Sequence, residues 1–166
     1  MAKVFLISEQ TLKRYTLIND NIDGVYIAPA IQMAQEIDLT ELIGEKLVNK
    51  LCDLITSNAI IDTSNKDYKK LLDDYITPYL SWLVTANIQI AINYKLSNSG
   101  VVRNDDERKS HLDFTQSTAL QTQYQHYANA YATKLTDYLC KNNSKYPEYT
   151  HCDNDGVQLC NIYLGD

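Results

Sequence analysis

Glycine and proline are scarce in this chain, at 5 and 3 of 166 residues, which excludes collagen-like and low-complexity structure and removes most natural helix breakers. Long apolar runs are missing too: none approaches the roughly 20 residues that cross a bilayer, so the sequence reads as soluble. Residues Met1 to Ile7 hold one lysine and a short apolar stretch, without an h-region or a small-residue cleavage site. They do not read as a signal peptide, and the protein is expected to stay where it is made. Positive charge is in deficit, with 15 Lys and Arg against 21 Asp and Glu, a formal net charge of −6 and an isoelectric point near 5.0. A nucleic-acid binder needs clustered Lys and Arg to meet phosphates, so that class is disfavoured. Cys52, Cys140, Cys152 and Cys160 sit in a chain without secretory signals, which predicts reduced thiols and no disulfide.

Catalytic and metal motifs are also missing. Asn19, Asn21, Asp23 and Gly24 fall on positions 1, 3, 5 and 6 of an EF-hand loop, but position 12 is Ala30 where a bidentate Glu is required. An Asn/Asp/Gly-rich turn ahead of a helix explains the same residues, and Asp153 to Gly156 are turn-like in the same way. His151, Cys152, Cys160 and Cys140 have zinc-ligand chemistry but none of the paired spacing that gathers four ligands. No Glu-x-x-His pair, G-x-S-x-G elbow or Gly-rich phosphate loop is present. Adjacent Asp73 and Asp74 point to different azimuths of a helix and read as a solvated face. His126 lies among Tyr124, Tyr127 and Tyr131 with no nucleophile beside it, which reads as structural. The expectation is a protein that is not an enzyme, with no cofactor and no metal.

What is there is helical periodicity, over a length that suits one domain with its own core. From Tyr68 the apolar residues Leu71, Leu72, Tyr75, Ile76, Leu80, Leu83, Ala86, Ile90 and Tyr94 recur at the spacing of one helical face. They predict a long helix from Asn65 to about Asn98, with Ser64 and Asp67 as its capping pair, a bend at Pro78 and Leu83 in the core. A second stripe, Leu112, Leu120, Tyr124, Tyr127, Tyr131, Leu135, Tyr138 and Leu139, predicts a helix starting at Asn104 or at Ser110. The short connection Ser97 to Asn104 makes the two an antiparallel hairpin. Upstream, Ile22 to Ile37 reads as a helix carrying Pro29, Asp38 to Gly44 as a capped turn, Glu45 to Ser57 as a helix, and Ser8 to Tyr15 as a small helix after an extended start. The fold class is all-α: a helical bundle built on the long hairpin over residues 1–143, with an extended C-terminal tail over 144–166.

Tyrosine is over-represented, at 13 against 2 Phe and 1 Trp. Its ring covers apolar area while its hydroxyl stays wet, which suits either partial burial in the bundle or surfaces buried on assembly. The tail is rich in large apolar groups for a free segment. Tyr146, Tyr149, Leu159, Ile162, Tyr163 and Leu164 are the candidate anchors for docking on a neighbouring subunit; the alternative is that the tail folds back on its own bundle and covers an end of the hairpin.

The order of elements carries a resemblance. Pro29-Ala30-Ile31 with Ala34-Gln35, then Leu42 to Leu47 and Leu51, then Tyr68, Leu71-Leu72-Asp73, Tyr75-Ile76 and Pro78, then Asn98 to Val101 and Tyr146 to Tyr149 resemble head-to-tail connector proteins of tailed bacteriophages. The likeness is to the adaptor or ring proteins of phages of Bacteroides-type bacteria, including crAss-like phages, and covers about Phe5 to Tyr149. It implies a virion structural protein at the head–tail junction, assembled in the host cytoplasm. Such a subunit forms a homo-oligomeric ring, usually twelve-membered, docked on the portal protein and followed by the next tail or ring protein. Viral DNA passes through the channel without specific binding, and no membrane is involved. The alternative class is a small helical binding or regulatory protein acting as a dimer.

Overall fold

The computed structural model describes residues 4–16, 18, 22, 24–97, 100–103 and 114–150. The fold is all-α. Helix α1 spans Glu9–Tyr15. Helix α2 runs over 24–43 as Gly24–Met33, a π-helical stretch Ala34–Leu39 and a last turn Thr40–Ile43. Helix α3 is Glu45–Thr56. After two short 3₁₀ turns, α4 runs over 66–93 as Lys66–Leu71, a π-helical stretch Leu72–Ile76 and Thr77–Asn93. Helix α5 is Phe114–Lys141.

Local chemistry sets several boundaries. Ser8 caps α1, its hydroxyl accepting from the Thr11 amide at 3.1 Å, and Glu9 in the first turn suits the positive helix end. Gly44 ends α2 at φ 85°, a left-handed value that a side chain resists, and its amide closes on the Thr40 carbonyl at 2.9 Å. Asn65, not the expected Ser64, is the residue before α4, because Thr63–Asn65 is itself a 3₁₀ turn. The predicted helix to Asn98 stops at Asn93, and Tyr94–Ser97 pairs antiparallel with Gly100–Arg103 as strands β1 and β2. Tyr94 and Val101–Val102 are residues that a strand favours, and the helical stripe had masked that preference. The expected starts of α5 at Asn104 or Ser110 lie outside the described residues.

Both π stretches answer a geometric problem. In α2 the buried residues Ile27, Ile31, Gln35, Leu39 and Ile43 recur every fourth position, and so do Leu72, Ile76, Leu80, Val84 and Ile88 in α4. On a regular α-helix such a ladder drifts about 40° per step, because four residues overshoot one turn of 3.6. A wider turn, closed by an i→i+5 bond, rotates the ladder back towards the core. In α4 that bond runs from the Thr77 amide to the Leu72 carbonyl. It also falls one residue before Pro78, whose ring would otherwise press on a carbonyl in the preceding turn and which has no N–H to offer. The helix therefore continues through the proline.

Helix α4 is the centre of the molecule. Ile76, Thr77, Pro78, Tyr79, Leu80 and Ser81 are all buried, so this stretch is covered on every side of the helix. Helix α5 packs along it antiparallel: Tyr75 stacks on Tyr138 with centroids 4.0 Å apart, while Trp82 meets Tyr124 at 5.8 Å and Tyr127 at 5.0 Å. Helices α1 and α2 pack on α4 as well. Ala128 and Ala132 let α5 approach closely, with Leu135 and Leu139 continuing its inner face. Leu83, expected in the core, is only half-buried, because the fourfold ladder passes through Leu80 and Val84.

Truncating Leu80 to Ala is expected to cost about 2–5 kcal/mol in urea unfolding, and Leu83→Ala less than half of the Leu80 value. Equal losses would mean that the register of α4 is wrong.

Candidate functional site

Residues 24–35 of α2 carry no charged side chain, and apolar residues stand on both its inner and its outer side, the outer one interrupted by exposed Glu36, to which Gln32 Nε2 donates at 3.3 Å. The inner ladder faces α4. Between its rungs a second ladder, Val25, Pro29, Met33 and Ile37, repeats the same fourfold spacing on the outside. Val25, Met33 and Ile37 are exposed by 71%, 56% and 58%. A surface helix ordinarily sets a polar face to water, and one that is apolar all round is ordinarily covered all round. Sequence reasoning read this helix but missed the outer ladder; the two interleaved spacings and the absent charges were the signals that reveal it.

The N-terminal arm fixes α2 in place. Buried Gln35 turns its side-chain amide into a two-pronged clamp: Oε1 accepts from the Leu6 amide at 2.9 Å and Nε2 donates to the Val4 carbonyl at 3.0 Å. Gln35 faces inward as the next rung of the ladder after Ile27 and Ile31. Thr40 Oγ1 donates to the Gln35 carbonyl at 3.1 Å, occupying an acceptor within that wide turn. Beside the clamp lies an open cleft of about 420 Å³ between the arm, α2 and α3, lined in part by Phe5, Glu36, Glu45 and Cys52. Burial pushes the Cys52 thiol up, and the nearby Asp53 charge adds to this, so the thiol stays protonated and is a poor nucleophile. Where α2 meets α4, burial and then the charges of Asp38 and Glu41 push the Tyr79 phenol well above its ordinary range. These groups pack and pair; none is set up to move a proton at neutral pH. Among the described residues no group of His, Cys, Asp and Glu side chains is placed to hold a metal, and no helix is long and apolar enough to cross a membrane.

The predicted docking anchors divide. Leu159, Ile162, Tyr163 and Leu164 lie outside the described residues, as do Asn19, Asn21 and Asp23 of the rejected calcium loop and His151, Cys152 and Cys160. Tyr146 and Tyr149 are described, and they correct the expectation: they are 0% and 3% exposed, inside their own subunit. The chain beyond α5 turns back instead of extending away from residue 144, so the packed core reaches at least Tyr149. Tyr146 donates to the Asp67 carbonyl at 2.9 Å, lies 3.2 Å from the Tyr138 hydroxyl and takes the edge of Tyr68 at 5.5 Å. Tyr68 donates to Glu148 at 2.8 Å, and Lys145 pairs with Asp67 at 3.3 Å. Part of the tyrosine excess thus fastens the end of α5 to the start of α4. The expectation of reduced thiols and no disulfide fails too, because Cys140 is disulfide-bonded. The same fold-back brings the Tyr149 hydroxyl to 3.9 Å from Cys140 Sγ, so chain that was read as a trailing tail returns to the last turns of α5.

The class these features define is an all-α chain with a packed tyrosine-rich end and exposed apolar residues on the outer side of α2. The chain belongs to DUF6712, a family of unknown function, whose model matches residues 39–157. The match begins at Leu39, so the outer ladder of α2 precedes it. Neither the curated proteins nor the solved structures contain a match to the chain.

Removing only the hydroxyl with Tyr146→Phe is expected to cost about 1 kcal/mol, since it strips the donor from the part-buried Asp67 carbonyl. Tyr146→Ala should cost about 3–5 kcal/mol through the cavity it leaves. Urea unfolding of the full chain measures both; a neutral Ala variant would place Tyr146 outside the core.

Proposed function

We propose that this chain is a non-enzymatic structural subunit of a phage head-to-tail connector ring, which docks on the portal, joins capsid to tail and lets DNA pass through its channel. The observation that carries the assembly part is the outer ladder of α2. Val25, Pro29, Met33 and Ile37 form an apolar face that water covers poorly in a lone subunit and that a neighbouring chain covers well. The connector part rests on the resemblance of the helix-packing elements from Phe5 to Tyr149. The charge fits the role: a wall with net charge −6 does not grip a polyanion and lets it slide. The fold-back through Tyr146 and Tyr149 gives the subunit a firm end, which a load-transmitting ring requires. A dimeric helical binding protein would use the same apolar face, and particle mass separates the two, since a ring is many times the 19.0 kDa subunit.

The test is co-sedimentation of the full chain with the portal ring of the same phage, followed by electron microscopy of the pelleted complex. The expected result is a ring density added to the portal. A chain that stays in the supernatant at every ratio, or that stops growing at a dimer, contradicts the connector reading.

A further inference from the structure

We infer that the disulfide at Cys140 is a redox-operated clip: it joins Cys140 to Cys152 and covalently closes the fold-back that seats Tyr146 and Tyr149 against the start of α4 and the end of α5. The clip is independent of the connector reading. Elimination leaves two partners. Cys52 is a free thiol, so in a chain with four cysteines Cys140 pairs with Cys152 or Cys160. Both lie outside the described residues, and chain length chooses between them. Buried Tyr149 anchors the returning chain beside the bond, with its hydroxyl 3.9 Å from Cys140 Sγ. Cys152 is the third residue after Tyr149, which keeps the two Cα atoms within roughly 11 Å even when the chain is extended. Cys160 is eleven residues beyond the same anchor. Loop closure falls off with about the three-halves power of length, so Cys152 meets Cys140 roughly sevenfold more often.

Its position makes the bond switchable. Cys140 stands at the end of α5 and is exposed, so a small thiol reaches its sulfur from solvent. Structural disulfides of secreted proteins resist the glutathione pool, whereas exposed ones are labile and serve regulation. When the bond opens, noncovalent contacts still hold the fold-back: Tyr146 donates to the Asp67 carbonyl at 2.9 Å and Tyr68 to Glu148 at 2.8 Å. The reduced chain therefore keeps its tyrosine-rich end folded but opens it more often, because the bond no longer restricts the opened state. A reducing cytoplasm favours the thiols and oxidising surroundings favour the clip, so the firmness of this end follows the compartment.

Opening is thiol–disulfide exchange. A glutathione thiolate attacks Cys140 Sγ; the protein S–S bond breaks, a mixed disulfide forms, and the Cys152 thiolate leaves and takes up a proton. A second glutathione thiolate attacks the glutathione sulfur of that mixed disulfide, releasing the Cys140 thiolate, which is protonated in turn. Two electrons and two protons thus pass to the protein, and oxidised glutathione leaves. Closing is the reverse, with a small-molecule disulfide as the oxidant. Cys52 is a poor participant, because burial pushes its thiol up.

The test equilibrates the full chain in glutathione buffers of graded ratio, quenches with acid, alkylates in denaturant and maps the peptides by mass spectrometry without reduction. Oxidising ratios should give one linked pair, the Cys140 and Cys152 peptides, with Cys52 and Cys160 alkylated. Millimolar reduced glutathione, acting on the folded chain, should leave all four thiols alkylated. Amide hydrogen exchange in the two states reads the consequence at Tyr146 and Tyr149, whose amides are bonded to the Asn143 and Tyr146 carbonyls at 3.0 Å each. Both should exchange faster in the reduced chain, by about tenfold or more. Cys160→Ser should behave as the wild type, and Cys152→Ser should exchange at the reduced rate at every ratio. A Cys140 to Cys160 link, a bond that survives millimolar reduced glutathione in the folded chain, equal exchange in the two states, or free thiols throughout at the most oxidising ratio each overturns the inference.

Discussion

The structure depends on one constraint, the complete burial of α4 between Ile76 and Ser81. A helix covered on all sides needs walls, and it must keep its backbone groups bonded without help from water. Pro78 makes the second requirement harder by removing a donor from the middle of the buried stretch. The wide turn closed by Thr77 on Leu72 answers it ahead of the proline, so α4 stays continuous where the core is densest. The walls are the inner faces of α1, α2 and α5. Everything on the surface follows from which faces those helices have left over.

The leftovers are unusual in chemistry. α5 turns Ala128, Ala132, Leu135 and Leu139 inward and leaves mostly uncharged polar residues outward as far as Thr133, with Lys134 and Asp137 beyond. α2 turns Ile27, Ile31, Leu39 and Ile43 inward and leaves Val25, Met33 and Ile37 outward. The Gln35 clamp holds that geometry, because the arm it binds closes the flank of α2 and prevents the helix from rolling its outer ladder into the core. The tyrosine cluster around Tyr146 does comparable work at the other end. It ties α5 to the beginning of α4 through one backbone acceptor and several ring contacts, and burial pushes the Tyr146 and Tyr68 phenols up. The interior is therefore tied at both ends, by the Gln35 clamp and by the Tyr146 cluster.

Much of the helix content was legible because fourfold ladders, Ser8 and Gly44 are local signals. What was not legible depends on choices among equivalent local patterns. Leu80 and Leu83 lie close on the same stripe, and only the partners around α4 select Leu80. Tyr94 to Ser97 continued an apolar helical spacing, yet pairing with Gly100 to Arg103 took them into a strand. Tyr146 and Tyr149 suited docking and fold-back alike in the sequence, because a tail without helical period does not say which surface its apolar groups cover. Cys140 was misread because a compartment argument does not say which thiols pair. The outer ladder of α2 was hidden by its own symmetry: when both sides of a helix are apolar, periodicity does not say which one is inside.

Met33 offers the most direct measurement, since its thioether is exposed on the face in question and oxidises readily to the sulfoxide when water reaches it. Oxidation of the full chain by dilute hydrogen peroxide, followed by mass spectrometry of the Met33 peptide, should be fast at low protein concentration and slow progressively as copies associate. A Met33 oxidation rate that is the same at every concentration, while the chain visibly associates, would contradict the claim that the outer face of α2 is the surface buried between subunits.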